Sequence, residues 1–388
     1  DAREEPREIQ ASLRMLRAPR AERFGQAAIS SLHEDGTRIV LKQVFTEGDF
    51  YCSSALALCT IGRSVTLGQN SRTAASVIAA PSRGRFTVLL CTAASMDPGR
   101  DVVRDALSGL DEAASIAPDR LLQDNESWWA DFWDGPCLEL HSADGKAERL
   151  ALHYHYFLYI TASSSRGDYI PNYGGMIWST GGDYRTWGVN HWWWNTSCYY
   201  RALPATGRFD LMDPLYDMYT AAAESCRRAA HQTWGAEGLF IPETMAFNGV
   251  AELPEPIANE LRDLFTLQKP WAERSEPFIR FADKRNPHLS RWNFKAVGEW
   301  VNDQWTWPER DSSPFGFVTH ILSSGTHVAY LYWLRYRYTG DLDWLRKRAY
   351  PMIRGAVELF LTFPLFGIGV DGSYHVSNTN SGEARTAW

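Results

Sequence analysis

Positive charge is the first thing this chain lacks. Its 39 Lys and Arg stand against 46 Asp and Glu, for a net charge of −7. That balance argues against a nucleic-acid binder, which needs a basic face. Long apolar runs are missing too. The longest candidate, 350–370, is broken by Arg354, Glu358, Pro364 and several glycines, so no membrane span or membrane partner is expected. Cysteine is scarce. Cys52, Cys59, Cys91, Cys137, Cys198 and Cys226 form no CxxC pair and no Cys/His zinc spacing, which excludes a structural zinc. They are too thinly spread for a disulfide scaffold and read as mostly buried thiols. There is no Gly-x-Gly-x-x-Gly, no P-loop, no His-Glu-x-x-His and no Gly-x-Ser-x-Gly. Neither a cofactor nor a metal is expected. The sequence starts at Asp1, without Met or a signal peptide, so targeting is not legible, and a secreted or periplasmic location stays open.

What is present is size and aromatic content. A length of 388 residues suits two or three domains. Residues 1–24 are Arg-rich and read as a solvated helix or an unstructured segment. Between 25 and 92, short apolar or alternating runs (27–33, 37–46, 55–61, 86–92) are punctuated by Gly, Asp, Asn and Ser, which predicts sheet or sandwich. The run Thr87-Val-Leu-Leu-Cys91 predicts a strand buried on both faces. Helices are predicted over 97–116 and 118–132, the second carrying Trp128 and Trp129 and reading as a linker whose tryptophans pack.

Beyond Pro136 the texture becomes helical: 148–165, 192–202, 213–230, 316–339 and 342–362, with long ornate loops alternating with tight turns. Gly340 ends one helix and Asp341 caps the next. A barrel of helical hairpins would give that pattern. The expected organisation is a partial N-terminal β-sandwich (1–117), a linker helix (118–136) and an all-α barrel (137–388), probed by a C-terminus at Trp388 that reads as cut inside a domain.

Residues 168–200 hold five of the 17 tryptophans, among them Trp178, Trp187, Trp192, Trp193 and Trp194. Asn172, Asp183, Arg185, Asn190, His191 and Asn195 are interleaved with them. Flat apolar faces mixed with hydrogen-bonding groups suit a pocket for sugars. Trp178, Trp187 and Trp192 are candidate stacking platforms, and Arg185 and His191 candidate hydroxyl binders. Trp193 and Trp194 cannot share one helix face with Trp192, so at least one of them belongs to the core. Further on, 302–311 is dense in polar and aromatic groups, with Asp303, Trp305 and Glu309 as candidate substrate contacts. Glu243 follows the apolar run Leu239-Phe-Ile-Pro and has an open role. Gly325-Thr-His327 reads as packing.

Four stretches carry a family resemblance. They are Glu126-Ser-Trp-Trp-Ala-Asp-Phe-Trp133 followed by Cys137-Leu-Glu-Leu140, Asn172-Tyr-Gly-Gly-Met-Ile-Trp178, the segment 183–214, and Val376-Ser-Asn-Thr-Asn-Ser-Gly-Glu383. Together, over roughly 120–388, they resemble glycoside hydrolase family 95 of the six-hairpin, (α/α)6 glycosidases. The resemblance implies a β-sandwich followed by an (α/α)6 barrel and an inverting hydrolase, α-L-fucosidase-like in substrate, acting on an oligo- or polysaccharide. It makes Glu383 the general acid, in a Ser/Asn loop that includes Asn380, and Asn195 the water-holding amide. The family's other asparagine falls on Trp193, with Asn190 nearby but out of register. The family's base lies beyond residue 388. In-chain candidates for that base are Asp183, Asp303, Glu309 and Asp311.

Inversion requires one carboxylic acid to protonate the leaving oxygen and a base to activate water on the other face. An amide such as Asn195 can hold that water but cannot take its proton. Two rivals remain. A phosphorylase on the same scaffold would use phosphate and want a basic cluster, for which Arg185, Arg310 and Arg385 are the candidates. A non-catalytic glycan-binding protein would keep the aromatic cleft alone.

Overall fold

The computed structural model describes residues 6–14, 27–47, 50–135, 138–171, 191–283, 299–301, 304–306, 320–377 and 379. The chain divides into two compact units, Asp1–Cys137 and Leu138–Trp388.

The first unit holds seven strands: β1 (Arg7–Arg14), β2 (Ala27–Leu32), β3 (Arg38–Glu47), β4 (Phe50–Ile61), β5 (Val65–Ser71), β6 (Ala74–Ser82) and β7 (Thr87–Ser95). They form two antiparallel sheets, ordered β2-β3-β4-β7 and β1-β6-β5. Period-two alternation assigns the faces. Ile39, Leu41 and Leu58 meet Leu13, Ala75 and Val77 between the sheets. Val40, Ala55, Ala57 and Cys59 point the other way, under Val102, Ala106 and Leu110 of helix α1 (Val102–Ser115). The carboxylate of Asp101 caps α1 by accepting from the amides of Val103 and Arg104. Arg38 of β3 reaches Asp111 of α1 at 2.5 Å, on the same face as Cys59. Helix α2 (Pro118–Trp133) follows, with Pro at its first position and an internal aromatic ladder in which Trp128 stacks on Phe132 and Trp129 on Trp133.

Two expectations need correction here. The Arg-rich start is neither helical nor unstructured over 7–14. It is strand β1, because Ile9, Ala11 and Leu13 alternate with Glu8, Gln10, Ser12 and Arg14, and β6 pairs with it along its length. The strands buried on both faces are the central β3 and β4, not β7. As an edge strand, β7 covers α1 with Leu89, Cys91 and Ala93, while Val88 and Leu90 are exposed on its other face.

The second unit is helical. Its helices are α3 (Lys146–Ser164), α4 (Trp193–Tyr200), α5 (Leu203–Thr206), α6 (Asp213–Ala221), α7 (Ala223–Trp234), α8 (Glu255–Phe265), α9 (Glu276–Asp283), α10 (Ser324–Thr339), α11 (Leu342–Trp344) and α12 (Tyr350–Thr362). Pairs pack as hairpins, α7 with α8 and α10 with α12. The predicted helix over 213–230 is two helices. They break at Ala222, whose carbonyl accepts both the Cys226 amide at 3.0 Å and the Ser225 hydroxyl at 2.8 Å. At 340–341 the expected punctuation is found. Gly340 adopts φ +69°, and the Asp341 carboxylate accepts the Trp344 amide at 2.9 Å. A π-helical turn, Leu345–Ala349, then leads into α12 just before Pro351, which has no amide hydrogen to give.

Trp234 sits in the core of this unit, edge-on to Phe240 and His320 and tilted against Phe265 and Phe363. No described helix is long and apolar enough to cross a membrane. Cys52, Cys59, Cys91, Cys198 and Cys226 are free thiols, with Cys59 and Cys226 buried and Cys198 exposed.

Candidate active site

After residues 168–171, the described part of the aromatic stretch resumes at a two-residue strand, β8 (His191–Trp192), which pairs antiparallel with β9 (Thr244–Met245). The chain then turns into α4. Aligned on that pairing, the backbone carbonyl of Glu243 accepts the Trp193 amide at 2.9 Å. The Glu243 side chain is fully buried. Its Oε1 accepts the Trp194 amide at 2.8 Å and its Oε2 the hydroxyl of Ser324 at 3.2 Å. Ser324 is the first residue of α10, so one carboxylate joins the starts of two helices.

A second tie runs alongside. The Trp193 indole N–H donates to His327 Nδ1 at 3.4 Å, and the Trp194 ring meets the His327 ring edge-on at 4.8 Å. Arg201 lies over Trp194, its guanidinium carbon 5.4 Å from the ring centroid. Partial burial first, and the Arg201 charge second, lower the pKa of His327. It favours the neutral ring that can accept from Trp193.

Trp192 and Trp193 are 2% and 1% exposed. Trp193, in the register of the first asparagine of the expected pair, is a core residue packed edge-on against Tyr219. Trp192 presents no open face for stacking. Trp194 and Asn195 are half-buried. Within this short stretch, His191 Nδ1, Trp194 Nε1 and Asn195 Oδ1 are buried with no hydrogen-bond partner among the described residues. The other nitrogen of the His191 ring bonds the Pro171 backbone, which can only accept there.

Burial pushes the pKa of His191 down to about 4 and that of His320 down to about 3. Both groups titrate near 6.5 when exposed. Each is neutral when folded and takes up a proton on unfolding below that value. Their stabilisation is therefore whole above pH 6.5 and declines as pH falls towards 4. Across that window each should remove about 1.4 kcal/mol per pH unit. The check is a urea-denaturation series from pH 7 to 4, in which His320→Leu should lessen the slope by one proton.

Of the other predicted contacts, Trp178, Asp183, Arg185, Trp187, Asn190, Asp303, Glu309, Asn380 and the acid Glu383 lie outside the described residues. Trp305 falls on a short strand, Gln304–Thr306, paired with Glu299–Val301. The chain reaches the Ser/Asn loop through the hairpin Phe366–Ile368 and Tyr374–Val376, where the Ser377 amide donates to the Leu365 carbonyl at 3.0 Å. No group of three or more His, Cys, Asp or Glu able to hold a metal occurs among the described residues. Sequence reasoning left Glu243 without a role and gave Ser324 none. The only signal was a glutamate placed after an apolar run.

Residues 271–387 match the model of the glycosyl hydrolase family 95 catalytic domain. That is narrower than the 120–388 over which the likeness was drawn, but it includes Asp303, Glu309, Asn380 and Glu383. No curated protein matches. Among solved structures, the chain is similar to one described as a kojibiose phosphorylase from the human microbiome, at 10% identity and a TM-score of 0.59, covering 96% of this chain and 41% of that one. Another, a family 92 glycosyl hydrolase, aligns at 11% identity and a TM-score of 0.38, over 95% of this chain and 46% of that one. The first likeness establishes the fold, β-rich sheets followed by a helical domain, and the chain spans less than half of that neighbour's length. The match to the family-95 catalytic domain covers the last third of the chain.

Proposed function

We propose that the protein is a glycosidase acting on an oligo- or polysaccharide by inverting acid/base hydrolysis on an (α/α)6 barrel. The observation that carries this reading is the catalytic-domain match, which spans Glu383. Glu383 donates the proton to the leaving oxygen, and Asn195 holds the attacking water. The buried Oδ1 of Asn195, with no hydrogen-bond partner among the described residues, supports that assignment, since an amide oxygen accepts a water hydrogen without removing it. His191 Nδ1 and Trp194 Nε1, an acceptor and a donor in the same stretch of chain, suit sugar hydroxyls. Trp178, Asp183, Arg185, Trp187, Asn190, Trp192, Asp303, Trp305, Glu309 and Asn380 complete the proposed contacts. Because Trp192 is buried, we give it the wall behind the sugar and give stacking to Trp178 and Trp187.

The test is turnover of aryl glycosides, α-L-fucosides among them, and of oligosaccharides, with the product anomer followed by NMR. Inverted product is expected at first appearance. Retained product would sink the mechanism. Turnover only in the presence of phosphate, yielding a sugar phosphate, would instead place the protein with phosphorylases such as its structural neighbour is described to be.

A further inference from the structure

Hydrolysis as set out above gives Glu243 no part, yet its carboxylate is fully buried at the foot of the helix that carries Asn195. Helix α4 needs help at its start. The first amides of a helix have no partner within it, and a side-chain acceptor at the cap usually takes one. Here the cap residue is Trp192, whose indole can only donate. One residue about fifty positions on supplies both acceptors. The Glu243 carbonyl takes the Trp193 amide and its carboxylate the Trp194 amide. A negative group at a helix N-terminus is favoured by the helix dipole and makes a charge-assisted bond. The second carboxylate oxygen holds Ser324, so α4 is fixed against the start of α10.

Asn195 is the next residue of α4. Its Oδ1 has no hydrogen-bond partner among the described residues, so the backbone of α4 largely decides where that oxygen sits. We propose that Glu243 is the positioning residue for Asn195: its carboxylate sets the first turn of α4, and through it the place where the amide holds the attacking water. This rests on the hydrolytic role given to Asn195. A misplacement of about 1 Å at such a group can lower the rate by about a hundredfold.

The test separates position from charge. Glu243→Gln keeps the reach, since its carbonyl can accept the Trp194 amide and its NH2 can donate to Ser324. Glu243→Asp keeps the charge and loses a methylene of reach. In the full chain, Gln should retain kcat within a few-fold, and Asp should lower it by about a hundredfold with KM little changed. In an Asn195→Ala background the Asp variant should add little further loss, as residues acting as one unit are not additive. The reverse order, with Asp tolerated and Gln inactive, would overturn the proposal and make Glu243 a group that acts by its charge or its proton. Full additivity with Asn195→Ala would overturn it too. Crystal structures of the two variants give a readout independent of turnover. Helix α4 should stay in place with Gln and shift with Asp, and an unmoved helix with Asp would refute positioning. If the wild type turns over no glycoside, the hydrolytic reading fails, while those two structures still decide what Glu243 holds.

Discussion

Replacing Glu383 by Gln is expected to lower kcat by about 10²–10⁴-fold on natural oligosaccharides, the range for loss of a positioned proton donor. Gln keeps the size of the side chain and its hydrogen bonding but has no proton to give. KM should change little, because the proton moves only as the glycosidic bond breaks. The loss should shrink on aryl glycosides whose phenol leaves readily without protonation. That dependence on the leaving group is the useful part of the measurement. A fold defect would depress all substrates alike, whereas a missing acid penalises poor leaving groups most. Glycan binding should survive the change. A glycan-binding protein without catalysis would show no difference in any of these assays. Glu383 lies within the stretch that matches the family-95 catalytic domain, which is why the largest kinetic effect is expected there.

How far the sequence led can be judged at particular residues. Strands β2, β3 and β4 were legible because Gly and Asp turns bound runs of alternating or apolar residues. Strand β1 was missed because arginines dominated the count and hid the alternation of Ile9, Ala11 and Leu13. An apolar run such as Val88 to Cys91 says nothing of its place in the sheet, and β7 proved to be an edge. The aromatic–polar stretch was recognisable by composition. Its internal arrangement was not, since Trp192 lies on a strand and Trp193 opens a helix. An argument from one helix face therefore applied to only part of it, and both rings are buried. Glu243 was illegible for a different reason. Its carboxylate reaches a backbone amide 49 residues away and a hydroxyl 81 residues away, and no local spacing encodes such contacts.

The segment that delivers Glu243 is also where the largest loss of stability is expected, from Gly238→Ala. After α7 ends at Gly235, the chain runs against α12, where the Leu239 amide donates to the Gly355 carbonyl at 2.8 Å. Gly238 adopts φ +82°, and a Cβ there would lie 2.4 Å from the Gly355 oxygen and 2.5 Å from the Leu359 nitrogen. Both obstacles are backbone, so relief requires the segment or the helix to move. Left-handed strain adds to the collision. A combined penalty of roughly 3–5 kcal/mol follows, among the larger values for a single substitution. It should lower the unfolding midpoint of this unit by about 10 °C. Gly355→Ala meets mainly the Leu239 side chain, which can turn aside in part, and should cost roughly 1–3 kcal/mol. Gly207→Ala, at φ +72° with nothing within 4 Å, should show only the strain of its backbone, about 1 kcal/mol. Differential scanning calorimetry of the three variants should rank them in that order. Equal shifts for Gly238→Ala and Gly207→Ala would mean that the contact with α12 is not close-packed, and the anchoring of the Glu243 segment would then have to come from β8 and β9 alone.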